Sequence, residues 1–326
     1  MDADLPAPED FTAARAQLGG RIVRTPVVAL EQDAIATQLR PGTRAAIKLE
    51  LFQHAGSFKA RGNLLGVERL DPDARKAGVV AASGGNHAMA LAWAAAAGGV
   101  GARLVMPRDT DPYRVDYCRR MGAEIDLIDR RTEMFDVMNR IAESEGRVVM
   151  HPFNAEHMIL GAGTIGLEIL EDLPDVDMVV VSVGGGGLIG GIASAIRQKR
   201  PQCRVIGVEP FGADSLYRSL EAGEPVRLET VSTIADSLAS PLALPYSFAI
   251  AQQTVDAVVR ISDDAMRETT VLMRDALKIV AEPACAAALA ALLGPLAERS
   301  EGKSVCVIAC GSNIGQERYL SILDGS

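Results

Sequence analysis

The uncharged stretch from Met178 to Ile196 limits the fold of this chain more than any other. It approaches the length of a membrane span. However, it holds six glycines and divides into a β-branched run, a glycine cluster and an Ala/Ile-rich run. That order reads as strand, loop and helix within a soluble protein. A second instance lies upstream, where Gly78-Val79-Val80-Ala81-Ala82 runs into Ser83-Gly84-Gly85-Asn86-His87 and then an alanine-rich helix to about Ala97. Strands alternating with helices at this spacing predict an α/β fold of parallel, doubly wound sheets with helices on both faces.

The remaining elements follow from the same patterning. Residues 11–40 are expected to be helical with a break at Arg24-Thr25-Pro26. Further strands are expected at 45–51, 102–106, 124–128, 147–150, 178–183, 205–208 and 304–309, and helices at 113–121, 132–145, 159–170, 188–199, 212–222, 262–280 and 283–299. The chain has 326 residues, long for one core, so two lobes are the natural arrangement. With 48% hydrophobic but only 4% aromatic residues, the core is one of Ala, Val, Leu and Ile. The net charge is -9 and no Lys/Arg run could track a phosphate backbone, which argues against nucleic acid as a partner. The five cysteines, Cys118, Cys203, Cys285, Cys306 and Cys310, include no CxxC pair, so neither a disulfide frame nor a zinc knuckle is indicated. The acidic start Met1-Asp2-Ala3-Asp4 lacks an apolar segment, so no signal peptide, no membrane partner and a cytoplasmic location are expected.

Two stretches carry chemistry. In Gly56-Ser57-Phe58-Lys59-Ala60-Arg61-Gly62 a lysine stands between a turn and a helix start among apolar neighbours. Desolvation there would lower its pKa and give the amine nucleophile that a Schiff base needs; the alternative is a surface lysine that merely follows Ser-Phe. Gly184-Gly185-Gly186-Gly187 sits between strand and helix, where converging N–H groups and a helix N-terminus suit a phosphate. Tight strand–helix packing would also explain these glycines. A rival reading exists as well: Gly185, Gly187 and Gly190 satisfy G-x-G-x-x-G, with Glu209 about twenty residues on as a ribose-binding acid. That dinucleotide-binding oxidoreductase would leave Lys59 and the Ser83–His87 loop without a task.

Taken together, Ser57-Phe58-Lys59-Ala60-Arg61-Gly62, Ser83-Gly84-Gly85-Asn86-His87, Gly184–Gly187 and Cys310-Gly311-Ser312-Asn313 resemble the fold-type II pyridoxal-phosphate enzymes. The nearest group is the threonine/serine dehydratases and serine racemases, and the likeness runs from Arg24-Thr25-Pro26 to Asn313. It implies pyridoxal 5'-phosphate held covalently by Lys59, with its phosphate on Gly184, Gly185, Gly186, Gly187 and Leu188. Asn86 would bond the ring 3-oxygen and Phe58 would pack near the ring. Ser83, Gly84, Gly85, Asn86 and the His87 backbone would take the substrate α-carboxylate. Cys310 would face the pyridine nitrogen, where a neutral thiol cannot keep that nitrogen protonated, favouring loss of a β-leaving group over a long-lived carbanion. Read without the resemblance, Cys310 is simply a small buried residue at a strand end.

The resemblance further implies a large lobe (1–53 and 148–326) that binds the cofactor, a small mobile lobe (54–147), and a homodimer. It implies β-elimination of an L-3-hydroxy amino acid, such as threonine or serine, to a 2-oxo acid and ammonia. Racemisation and action on 3-hydroxyaspartate or an aryl-serine are the alternatives, and a catalytically silent regulatory protein is one from another class. Two departures qualify this. Racemases of the group carry a serine where this chain has Gly84. The relatives' divalent-cation site uses a glutamate, a carbonyl and an aspartate; Glu209 and Ala213 match, but Ser215 replaces the aspartate and should weaken the site. Apolar Met134 and Phe135 stand where relatives reading a polar substrate end place arginine, with Arg130 and Arg131 nearby. The biosynthetic relatives' regulatory domain would follow Asn313; the chain ends at Ser326, so no isoleucine inhibition is expected.

Overall fold

The computed structural model describes residues 5–325, and the acidic start discussed above lies outside the described residues. The strands are β1 Val27–Ala29, β2 Arg44–Lys48, β3 Val79–Ala82, β4 Ala102–Pro107, β5 Glu124–Ile128, β6 Val148–Val149, β7 Met178–Ser182, β8 Arg204–Pro210, β9 Ala257–Ile261 and β10 Ser304–Ile308. They form a six-stranded sheet in the order β1-β2-β10-β7-β8-β9 and a four-stranded sheet in the order β5-β4-β3-β6. All pairings are parallel except the edge pair β1–β2. The central strands β3, β7 and β10 are buried along their whole length, as their unbroken apolar runs require in a parallel sheet. In such sheets ligands bind beyond the carboxyl ends of the strands. Here Ser83–Gly85 follows β3, Gly184–Gly186 follows β7, and Cys310–Asn313 follows β10.

Several elements differ from expectation. Of the helix expected over 11–40 with a break at Arg24-Thr25-Pro26, the structure keeps Pro8–Leu18 and the single turn Asp33–Ala36, and β1 follows the break, since Pro26 ends any helix and Val27-Val28 favours extended backbone. The strand expected to reach Leu51 stops at Lys48, after which Glu50–Phe52 forms a 3-10 turn that carries the chain towards Lys59. Helix Pro245–Thr254 and strand β9 lie in a stretch whose periodicity marks no element, and Arg260 interrupts the apolar run of β9. The helix expected over 262–280 is α-helical only to Leu272 and then becomes a π turn.

A buried ion cluster fixes the helix Lys59–Glu68. Arg61 is fully buried: its Nε donates to Glu50 at 2.8 Å, and its Nη atoms donate to Glu50 and Glu168, each at 2.7 Å. Lys48 Nζ donates to Glu168 at 2.6 Å and to the Thr25 carbonyl at 2.7 Å. Two positive and two negative groups balance, the condition under which buried charge is tolerated. The cluster ties the start of the Lys59 helix to the end of β2 and to helix Glu156–Asp172.

Candidate active site

The segment bearing Lys59 is sewn to the loop after β10. The Phe58 amide donates to the Cys310 carbonyl at 3.1 Å, the Ser312 amide donates to the Gly56 carbonyl at 3.0 Å, and Ser57 forms an isolated bridge with Gly311. Lys59, half-buried, begins its helix immediately afterwards. Its Nζ donates to the Pro152 carbonyl and lies 5.0 Å from the centre of the Phe58 ring. Burial of the amine pushes its pKa down to about 8. The amine is thus partly buried beneath the Pro152 carbonyl and beside the Phe58 ring, where an amine among apolar neighbours is expected.

The glycine loop lies across from it. Helix Gly187–Lys199 begins within the loop, with Leu188 buried in its first turn. Among the described residues, no backbone hydrogen bond closes on the amides of Gly184, Gly185 and Gly186. A Cβ on Gly185 would come within 2.3 Å of the Phe153 ring, and one on Gly184 within 2.8 Å of the Ser237 carbonyl. Phe153 adjoins Pro152, so one short segment serves both Lys59 and the glycine loop. His151 holds that segment, its Nδ1 accepting from the Asn154 amide at 2.9 Å.

On the third loop, Ser83 Oγ accepts from the Gly85 amide at 3.2 Å, and helix Asn86–Gly98 starts directly after. The buried His87 is neutral, because burial first and then the Lys59 charge hold its pKa well below the usual histidine range. Its Nε2 lies 2.9 Å from the Met150 carbonyl, an acceptor only, so the proton resides on Nε2. Nδ1 then accepts from the Asn63 amide at 3.2 Å. Both ring nitrogens are engaged, which agrees with a backbone rather than an imidazole role for His87.

Asn86 is locked by neighbours the sequence reading did not identify. Its Nδ2 donates to Glu282 at 2.7 Å and to Ser237 at 3.2 Å, and its Oδ1 accepts from Asn313 at 2.6 Å. Glu282 is buried, and burial pushes its pKa up to about 7 against the opposing pull of Arg114. Arg114 spans the loops: it donates to Asp236 at 2.6 Å and to the Asn313 carbonyl at 2.8 Å, and weakly to the Gly84 carbonyl at 3.4 Å. The one signal available for Glu282 was its place before Pro283, at the start of the alanine-rich helix Pro283–Leu293. Nothing in the sequence pairs Arg114 with Asp236.

Cys310 is buried at the carboxyl end of β10, and a hydrogen bond with Cys285 together with burial holds its thiol well above the usual range, hence neutral. All five cysteines are buried and free. Glu209 is the penultimate residue of β8, and its carboxylate accepts from the Leu216 and Tyr217 amides at 3.0 and 2.7 Å. It is thus spent on the first turn of helix Ser215–Ala222 rather than presented to a ribose, which removes the support for a dinucleotide site. Ala213 and Ser215 are buried beside it, and the Ser215 hydroxyl has no partner.

A desolvated amine, a glycine cradle with free amides and a neutral thiol together fit an aldehyde that carries a phosphate. Comparison with known proteins points the same way. Residues 19–311 match the family model described as pyridoxal-phosphate dependent enzyme. Phenylserine dehydratase of Ralstonia pickettii is 43% identical over 95% of this chain and 94% of its own. L-threonine ammonia-lyase of Thermotoga maritima is 38% identical over 94% of this chain and 75% of its own. The solved structure of maize serine racemase superposes with a TM-score of 0.91 at 32% identity, covering 100% of this chain and 98% of that one. No helix among the described residues is long and apolar enough to cross a membrane.

Proposed function

Because this chain belongs to the pyridoxal-phosphate dependent enzymes and takes that cofactor, we propose that it is an ammonia-lyase acting on an L-3-hydroxy amino acid with an apolar, aryl-bearing side chain. The observation that carries the chemistry is the placement of Lys59, whose amine donates to the Pro152 carbonyl, next to the Phe153 that closes on the glycine loop, with burial pushing the amine down to about 8. When bound, pyridoxal phosphate supplies an electron sink for the bond broken at Cα. In this reading Lys59 would hold the cofactor covalently, and its free amine would take the Cα proton as a general base. The amides of Gly184–Gly187 and Leu188 hold the phosphate, and Asn86, set by Glu282 and Asn313, meets the ring oxygen. The Ser83–His87 turn takes the substrate carboxylate. Cys310, a neutral thiol, leaves the ring nitrogen without a strong proton donor, which favours expulsion of the β-hydroxyl as the Cα proton leaves. Elimination of water, then hydrolysis of the released enamine, gives a 2-oxo acid and ammonia.

The aryl preference has its own support. Beyond the likeness to phenylserine dehydratase, Phe135 is 50% exposed beside Met134 at the start of helix Met134–Glu145. The nearby arginines are engaged elsewhere, Arg131 with Asp109 at 3.0 Å and Arg130 with Glu133. The expected small lobe, 54–147, must be extended to take in β6, which pairs with β3 in the four-stranded sheet; in this reading that lobe closes on substrate, with Arg114 and Asp236 as one clasp between the loops. The working form is a cytoplasmic homodimer.

Borohydride reduction of the holoenzyme followed by peptide mapping should place the pyridoxyl label on Lys59. In parallel, kcat/KM for L-phenylserine should exceed that for L-threonine and L-serine by about tenfold or more, the scale on which an apolar pocket discriminates. A label on Lys48 would overturn the anchor, and a preference for threonine or serine would overturn the aryl assignment.

A further inference from the structure

The segment from Glu209 to Tyr217 matches the relatives' divalent-cation site in position, but its donors do not fit an ion. A hard cation needs some six to eight oxygen ligands. Both carboxylates here are already occupied. Glu209 uses its two oxygens on the Leu216 and Tyr217 amides. Asp214, 1% exposed, accepts from Arg218 Nε at 2.8 Å and from Arg260 Nη1 at 3.0 Å. Ser215 offers only a neutral hydroxyl. No cluster of three or more His, Cys, Asp or Glu capable of holding a metal occurs among the described residues.

Arg260 accounts for the difference. In the parallel pair β8–β9 it is the register partner of Glu209, so the two side chains leave the sheet on the same face. Its guanidinium lies 4.0 Å above the centre of the Tyr217 ring and 5.4 Å from that of Phe211. The Tyr217 ring and the Asp214 carboxylate hold it in place. An arginine keeps its charge at any working pH, and a fixed positive charge beside Glu209 repels an incoming cation.

We propose that Arg260 stands in for the divalent cation, holding the Glu209–Tyr217 segment with a built-in charge and making this enzyme indifferent to divalent metals. The inference does not depend on which 3-hydroxy amino acid is the substrate.

The test is thermal unfolding of the holoenzyme after dialysis against EDTA, with Mg²⁺, Mn²⁺ or Ca²⁺ added back. The parent protein should show the same Tm throughout, because an ion that does not bind the native state cannot stabilise it. Ser215→Asp should remain indifferent, since Arg260 still brings its charge to that face of the sheet beside Asp214. Ser215→Asp combined with Arg260→Gln should acquire a Tm that rises with cation concentration. Cation-dependent stabilisation of the parent, or of Ser215→Asp alone, would overturn the proposal. So would a folded double variant that ignores cations, because the guanidinium would then not be what excludes them.

Discussion

Asn86 and Glu282, 196 positions apart in sequence, are joined by a 2.7 Å hydrogen bond from Asn86 Nδ2 to Glu282 Oε1. Asn313 fixes the other end of the same amide. The orientation of Asn86 is therefore set by Glu282, Ser237 and Asn313 before any ligand arrives. The Glu282 Oε2 atom has no hydrogen-bond partner and lies 3.9 Å from Arg114.

Glu282 should make stability fall as pH rises. Burial raises its folded pKa from the ordinary 4.5 to about 7, so between these values the folded state keeps a proton that the unfolded chain has lost. The stabilisation is complete below the unfolded value and disappears as pH climbs through the folded one. Glu282→Gln retains an acceptor for Asn86 and cannot ionise. Its Tm relative to the parent should rise from about pH 5 to about pH 8. A difference that stays flat across that range would refute the assignment. Comparing variant with parent cancels the histidines, whose lowered pKa values act with the opposite sign.

Gly185→Ala should cost the protein its cofactor rather than its fold. The added methyl group would lie 2.3 Å from the Phe153 ring, so the loop must move off the position its amides now hold. Affinity for pyridoxal phosphate, measured by ultrafiltration, should drop by about tenfold or more, the loss of one charge-assisted hydrogen bond. Far-ultraviolet circular dichroism should be unchanged. Retained affinity would mean that the phosphate is held elsewhere.

Arg61→Met should be severely destabilising. It leaves Glu50 and Glu168 buried with only Lys48 to oppose them, and breaking such a cluster costs about 3–5 kcal/mol. Denaturant unfolding reads the loss directly. A cost below about 1 kcal/mol, the value of an exposed pair, would show that water reaches the cluster.

Gly84 separates lyase from racemase. It offers no side-chain proton for the face of Cα opposite Lys59, so racemisation lacks the roughly 10²–10⁴-fold help of a positioned acid. Incubation with L-serine should yield pyruvate well ahead of D-serine by chiral chromatography; equal rates would require another acid. The structure also shows why Gly84→Ser alone is a poor gain-of-function test. Its Cβ would lie 2.6 Å from Thr110 Oγ1 and 3.1 Å from Pro107 Cδ, so Thr110 must shift to admit it, and pairing Gly84→Ser with Thr110→Ala removes the nearer of these contacts.

The α/β class and most of the strands were legible in the residues, because a parallel strand is buried on both faces and must be written as an unbroken apolar run. β3, β7 and β10 show this, and each ends in the glycine or serine-glycine turn that forms a loop of the site. Lys59 and Gly184–Gly187 stand out in the residues as an amine among apolar neighbours and four consecutive glycines, and the structure brings both to the Pro152–Phe153 segment. What remained hidden depends on distance along the chain. Glu282 meeting Asn86, Arg114 clasping Asp236 and Phe153 closing on Gly185 each join segments whose local patterns carry no trace of one another. The same holds for Arg260, which locally is only a charge interrupting a strand. Its partnership with Glu209 exists because β9 lies beside β8 in that register, and sheet register is settled by packing across the whole core, not by the residues of either strand alone.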